Sequence, residues 1–400
     1  MATSPRPNDH IGRRIRVHRE RSGKTQPVIA GLAGISPDYL GQIERGRKTP
    51  STEVLQQLAA ALDVPASVLL GEVSIPSLPR AAAQHGEGLA MALMSVSAEP
   101  VDLDNLARRV QNVWATWHSS GQRYSEVLPG LPALVRDVEA TLRGLRRSPE
   151  RRRASAIASD LYALLRTVTR RTGRSDLSFV VADRGMRAAE DADDPVRLAV
   201  ARWNLGHTLL IANEYDAAIE LTTAAAETVM AEIGQTPPAL ALAGALNLVA
   251  AIGEARAGRV WDARSRVNDI ATPLAQNSKA AANIGRTMFS PFNVAMHAMC
   301  IELEAGDSTE ALRIADQLDP SVCPSVERRF TFTLDVARAY EVRHEETGTL
   351  LYLLDAERLA PEDLAKDATA NGMIGRLLRS ARPMNRAQAA KLADRLSIEV

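Results

Sequence analysis

Cysteine is nearly missing from this chain: Cys300 and Cys323 are the only two. That is too few for a disulfide framework, and a reducing cytoplasm is the simplest expectation. Aromatic residues make up only 4%. Runs of β-branched residues, the usual material of strands, do not occur. No window approaches 18 uninterrupted apolar residues, so no membrane span is expected. The opening MATSPRPNDH lacks the apolar core of an export signal. Lysine is scarce as well, at five of the 48 basic residues, which reads as GC-rich coding bias and not as recognition chemistry.

Catalytic signatures are also absent. There is no GxxxxGK[ST] phosphate loop, GxGxxG, HExxH or GxSxG. The seven histidines do not cluster with cysteines or carboxylates at ligand spacing, and His344-Glu345-Glu346 lacks a second histidine four residues on. The chain therefore reads as a non-enzyme, with no cofactor and no metal site.

What is present is alanine, leucine and arginine. At 46% hydrophobic and rich in helix formers, the composition predicts an all-α protein. Four hundred residues exceed one ordinary core, so two or more domains or a repeat array are expected. The net charge is zero but uneven. Residues 10–50 carry nine basic side chains against three acids, a surplus of six, and the remainder is acidic by the same amount. A basic module on a mildly acidic body suggests that the module alone meets a polyanion.

That module, residues 8–70, reads as five short helices. The first runs from about 11 to 21, with Ile11, Ile15 and His18 inward. Thr25 can cap the second, Pro27 falls in its first turn, and Ile29, Leu32 and Ala33 face the core. Gly34 ends it with the small residue a left-handed turn needs. Ser36 caps the third helix and Pro37 opens it. Leu40 and Ile43 point inward, so Asp38 and Gln42, four apart, share the outer face. A fourth helix spans about 52–62 on Val54, Leu55, Leu58 and Leu62, and a short one over 65–70 closes the bundle.

Thr25-Gln26, Leu32-Ala33-Gly34-Ile35-Ser36, Tyr39-Leu40, Ile43-Glu44-Arg45-Gly46, Thr49-Pro50-Ser51 and Leu58-Ala59-Ala60-Ala61-Leu62 together resemble the phage-repressor/Cro helix-turn-helix, the xenobiotic-response-element family of bacterial regulators. In that family the third helix lies in the DNA major groove and the second rests across the backbone. Carried over, the resemblance implies that Gln26 binds phosphate and that Ser36, Asp38 and Gln42 face base edges. Gln42 can pair with adenine at two points, and Asp38 can accept from cytosine. Tyr39, Arg45, Arg47 and Lys48 would hold phosphates. Arg19 and Glu44 would form a structural bridge between the first and third helices. Pro37 departs from the polar residue common there and leaves only apolar contact. Plainer readings stand beside these: Asp38 as a first-turn acid on the helix dipole, Tyr39 as surface packing, and Arg13, Arg14 and Arg16 as a solvated face.

Residues 71–101 contain several prolines and glycines among small residues and read as a partly ordered linker, with one apolar patch at 89–94. From 102 to 400 amphipathic helices follow one another at a weak period of about 40 to 48 residues. The clearest unit, RWNLGHTLLIANEYDAAIELTTAAAE at 202–227, resembles a tetratricopeptide repeat. A second is 330–361, with Ala337, Tyr340, Ala356 and Pro361. Weaker units surround Gly173, Gly258 with Trp261 and Ala263, and Gly306 with Ala311. A helix pair alone cannot cover its apolar face, so the pairs are expected to stack into an α-solenoid that serves as sensor and dimerisation domain.

In the register of that repeat, the inward positions are Trp203, Asn204, His207, Arg171, Arg256, Asn293, Met296, Arg338 and Glu341. Asn can grip a peptide backbone and Arg a carboxylate. Each residue also has an ordinary reading as core or surface. The two-part layout resembles peptide-sensing quorum regulators, and regulators of secondary metabolism and development. It implies a cytoplasmic homodimer on a palindromic double-stranded operator, modulated by a peptide or small-molecule effector. The competing reading is a DNA-localised protein-interaction scaffold whose repeats bind a protein partner.

Overall fold

The computed structural model describes residues 11–12, 14–16, 18–19, 22, 24–62, 64, 66, 69, 88–94, 101–145, 149–278 and 283–398. Among these residues every regular element is helical. The chain divides into two compact units, residues 1–77 and 78–400.

In the first unit α1 (Gln26–Leu32), α2 (Pro37–Glu44) and α3 (Thr52–Leu62) follow helical residues between 11 and 19. Ile15, Ile29, Leu40, Ile43, Leu58 and Leu69 are fully buried together. Leu32, expected in this core, is instead 61% exposed. A seven-residue helix has too few turns to define a stripe, and Ile29 with Ala30 and Ala33 already fills the inner face. The closing helix expected over 65–70 lies largely outside the described residues; Ala66 and Leu69 within it are helical.

The described part of the second unit begins with helical residues 88–94, inside the stretch read as a linker. Leu89, Ala92 and Leu93 are buried in the core built by α4 (Leu103–Ser119), α5 (Arg123–Val127) and α6 (Leu131–Gly144). Asp102 caps α4 by accepting from the Asn105 N–H at 2.8 Å.

Five helical hairpins follow. They are α7 (Pro149–Arg171) with α8 (Ser175–Ala192), α9 (Pro195–Ile211) with α10 (Tyr215–Glu232), α11 (Pro237–Arg256) with α12 (Val260–Ser265), α14 (Pro291–Ala305) with α15 (Ser308–Ala315), and α16 (Val326–Val342) with α17 (Glu346–Leu359). A π-helical turn, Arg266–Ala271, joins α12 to α13 (Thr272–Asn277). Pro273 in the first turn of α13 has no N–H to give to the preceding turn, which is a local cause for the widening. Three helices end the unit: α18 (Pro361–Lys366), α19 (Ala368–Ser380) and α20 (Pro383–Leu396).

One device ends the first helix of every hairpin. Gly173, Asn213, Gly258, Gly306 and His344 all have positive φ. The next residue's N–H returns to a carbonyl five positions back: Arg174 to Thr169, Glu214 to Leu209, Arg259 to Glu254, Asp307 to Glu302 and Glu345 to Tyr340, at 2.8 to 3.0 Å. This is the Schellman cap, which satisfies the last carbonyls and reverses the chain. Small residues then let the helices close: a Cβ on Gly206 of α9 would lie 2.5 Å from the Thr222 methyl of α10, and Ala218 and Ala225 are buried against α9. The apolar α11 passes the length and hydropathy test for a membrane span, but 89% of that window is buried inside the unit. It is the central helix of the largest core cluster, as expected of a helix apolar on all sides.

The start and end of the second unit are clasped. Arg123 on α5 donates to Asp363 on α18 at 2.5 Å, and both side chains are fully buried. Tyr124 N–H donates to Glu362 at 2.8 Å. Trp117 Nε1–H donates to Glu327 on α16 at 3.2 Å, and Arg171 donates to the same carboxylate at 3.0 Å. Removing one partner of a buried pair strands the other charge, so Asp363→Ala should lower unfolding free energy by ~3–5 kcal/mol, whereas Arg123→Met with Asp363→Leu should restore most of it. Urea denaturation checks this; equal losses in the single and double variants would contradict it.

Candidate nucleic-acid interface and ligand cavity

In the first unit Glu44, at the end of α2, is the hub. Its carboxylate accepts Arg19 Nε–H at 2.6 Å and a second Arg19 N–H at 3.0 Å. It also accepts Gln26 Nε2–H from the start of α1 at 2.7 Å. Three segments are thereby tied to one buried carboxylate, with Leu40 and Ile43 beneath. Gly12 supplies the close approach: a Cβ there would lie 2.0 Å from the Ile43 carbonyl oxygen.

The opposite face of α2 is exposed. Ser36 Oγ accepts the Tyr39 N–H at 3.2 Å, so its hydroxyl caps the helix. Pro37 and Asp38 are exposed beside it, and Gln42 Nε2 donates to Asp38 at 2.7 Å. Arg45, Arg47 and Lys48 follow, all exposed. Lys48 Nζ sits 5.4 Å above the half-buried Tyr39 ring, a cation–π contact that joins the turn to the helix. Of the basic residues read as a solvated face, Arg14 donates to the Leu69 carbonyl at 3.3 Å, and Arg13 lies outside the described residues.

In the second unit a cavity of about 180 Å³ opens among the hairpins. The first helix of every hairpin reaches it: Arg166 and Arg171 from α7, Trp203 and His207 from α9, Arg256 from α11, Met296 and His297 from α14, Glu327 and Asp335 from α16. Among the described residues, none of the partner helices α8, α10, α12, α15 or α17 lines it. Trp114 and His118 of α4 and Arg286 and Met288 of a connecting segment complete the wall. Arg286 and Met288 hold positive φ of 59° and 55°, a backbone strain concentrated at the cavity edge.

Of the inward positions read from the sequence, Arg171, Trp203, His207, Arg256 and Met296 meet here. Asn204, Asn293, Arg338 and Glu341 do not. Asn204 is turned sideways, accepting Arg166 Nε–H at 2.8 Å and donating to the Val200 carbonyl. Asn293 is buried in α14, where its carbonyl meets His297 Nδ1 at 2.7 Å. Arg338 lies 3.7 Å from Glu304, and Glu341 is taken by Arg376. Sequence reasoning missed Arg166, Arg170, Arg328, Trp114 and His118. The run Arg166, Arg170, Arg171 at i, i+4, i+5 was the available signal.

Burial governs the titration of the wall. His118 and His297 are each pushed down to about 4, and His207 well below its usual value, first by desolvation and then by nearby arginines. Burial raises Asp335 to about 6. Glu327 is buried too, yet Arg171, Arg123 and Arg328 outweigh that cost and hold its carboxyl well below the ordinary range. A histidine whose folded pKa is depressed stabilises the fold above its unfolded pKa and loses that contribution as pH falls towards the folded value. Between pH 7 and pH 5 the second unit should lose ~2 kcal/mol for each of His118 and His297, with Asp335, raised in the folded state, offsetting part. Urea midpoints against pH test this: His297→Leu should flatten the profile, and an unchanged slope would refute the assignment.

The family model for a helix-turn-helix domain matches residues 10–69. The HTH-type transcriptional regulator YazB of Bacillus subtilis is 45% identical over 58 residues, covering 14% of this chain and 84% of YazB. The transcriptional regulator ClgR of Mycobacterium tuberculosis is 42% identical over 60 residues, 15% of this chain and 54% of ClgR. Among solved structures, Bacillus thuringiensis PlcR in complex with the peptide PapR7 and DNA overlays with a TM-score of 0.30 at 15% identity, over 68% of this chain and 97% of that one. Apo ComR from S. thermophilus gives 0.32 at 14% identity, over 93% and 100%. With α1, the Gly34 turn and α2 placed as described, the chain belongs to the helix-turn-helix transcriptional regulators.

Proposed function

We propose that this chain is a cytoplasmic regulator that binds a palindromic operator as a homodimer through α2, and that a ligand in the second unit's cavity sets its affinity. The observation that carries the DNA reading is the outer face of α2. Its inner face is pinned through Glu44, while on the outer face half-buried Gln42 donates to exposed Asp38. That bond uses one of the two Gln42 amide hydrogens and leaves the other, with the carbonyl oxygen, free for two-point pairing with adenine. Arg45, Arg47 and Lys48 supply phosphate contacts, and the Gln26 amide, oriented by Glu44, offers its second hydrogen to the backbone. Two copies would reach two half-sites about 34 Å apart.

The cavity supports a ligand more than a protein partner. Its space suits a small molecule, and its walls are the inward faces of five helices. Arg171 and Glu327 belong both to this wall and to the clasp. A ligand that draws Arg171 away from Glu327 loosens the hold on Trp117 and with it the closure of the unit. A ligand can shift that equilibrium only by its preference for one closure over the other.

Selection of bound sequences from random DNA tests the reading. It should return an inverted repeat with half-sites one helical turn apart; a single half-site would refute the homodimer. On the selected operator Gln42→Ala should cost ~1–3 kcal/mol, with little loss on random DNA. Equal losses on both DNAs would remove Gln42 from base reading.

A further inference from the structure

Six arginines line the cavity, against only Glu327 and Asp335 among carboxylates. Three have a carboxylate near: Arg171 with Glu327 at 3.0 Å, Arg256 with Glu304 at 3.8 Å and Arg286 with Asp160 at 3.9 Å. Arg166, Arg170 and Arg328 have no carboxylate within ion-pair distance among the described residues. Arg166 donates to the neutral Asn204 amide, and Arg328 to the Thr287 carbonyl at 3.4 Å. Charged groups withdrawn from water are normally paired, because desolvation costs several kcal/mol per ion unless a counter-charge restores it. Of the three, Arg166 is buried, Arg328 is half-buried and Arg170 is exposed at the cavity. Burial and then the neighbouring Arg170 hold Arg166 below its ordinary value, to about 9, so it is still a cation at neutral pH. The three histidines on the wall stay neutral there and do not add to the surplus. Nearby the wall is apolar and aromatic, with Trp203, Ile252 and Met296. His118 adds a buried Nε2 that has no hydrogen-bond partner.

We propose that this cavity binds a small molecule with an anionic head, a carboxylate or phosphate, held by Arg166, Arg170 and Arg328, and a flat apolar body against Trp203 and Met296. The guanidinium fork suits planar, two-point recognition of either head. Three such forks from α7 and α16 line one cavity, and among the described residues none of them has a carboxylate within ion-pair distance. The proposal rests on the reading of this cavity as the regulatory site and names the chemistry of its occupant.

The full chain is titrated calorimetrically with 1-naphthyl phosphate, 1-naphthoate and the neutral 1-naphthol. One or both anions should bind saturably at one site per chain and more tightly than naphthol; which anion binds better tells a phosphate head from a carboxylate. Arg170→Gln and Arg328→Gln should each weaken the anion about tenfold, with thermal melts close to the parent. Arg170 is exposed at the cavity, so its replacement should not unfold the unit. Naphthol binding as tightly as the anions, no saturable anion binding, or unchanged affinity in both variants would overturn the proposal. Operator affinity measured in the same solutions separates the two ideas. Anion binding that leaves DNA affinity unchanged upholds the anion site and refutes its regulatory role. A neutral ligand that alters DNA affinity without anion preference does the reverse.

Discussion

The second unit depends on a buried ion pair between residues 240 positions apart, Arg123 and Asp363. A stack of hairpins has no intrinsic reason to close, since each repeat needs only its neighbours. Here the first and last parts of the stack meet, and the contact is made of charges fully withdrawn from water. Such a pair contributes little net stability compared with apolar packing, but its loss is costly because a stranded charge remains. It therefore specifies one closure. The closed stack walls the cavity: α4 supplies Trp114 and His118, α14 and α16 supply Met296, His297 and Glu327, and the Trp117–Glu327 bond ties α4 to α16.

The same closure concentrates positive charge. The first helix of each hairpin faces inward, so arginines from different repeats converge on one space. In a well-packed core such a surplus would be removed or paired. The surplus lies beside a cluster of neutral histidines and the backbone strain at Arg286 and Met288, and these features support the proposed ligand site.

The first unit uses charge in the opposite way. One buried carboxylate, Glu44, takes three hydrogen bonds from Arg19 and Gln26 and so orients α1 and α2 together. Beyond the rigid inner face of α2, Asp38 and Gln42 on its outer face are aligned by their own bond. Under the proposed DNA reading, Arg45, Arg47 and Lys48 hold phosphates for affinity and that pair reads bases for specificity.

Much of this was written locally. The Ser36 cap, Pro37 behind it and Gly34 before it mark the helix-turn-helix within a dozen residues. Gly173, Gly258 and Gly306 mark three hairpin turns, and the helix periodicity makes each hairpin's first helix face inward. The turns at Asn213 and His344 were harder to see, because the left-handed position is filled there by residues other than glycine. Leu32 was misplaced because seven residues cannot set a stripe. Tertiary structure alone decided which inward residues reach the cavity. Asn204 and Arg338 share the right face, yet their side chains are claimed by Arg166 and Glu304. Sequence determines which face a residue occupies, because helical geometry repeats every few positions. It does not record which distant charge will claim that residue: pairing across 240 positions has no period, and only the closed fold brings the partners together.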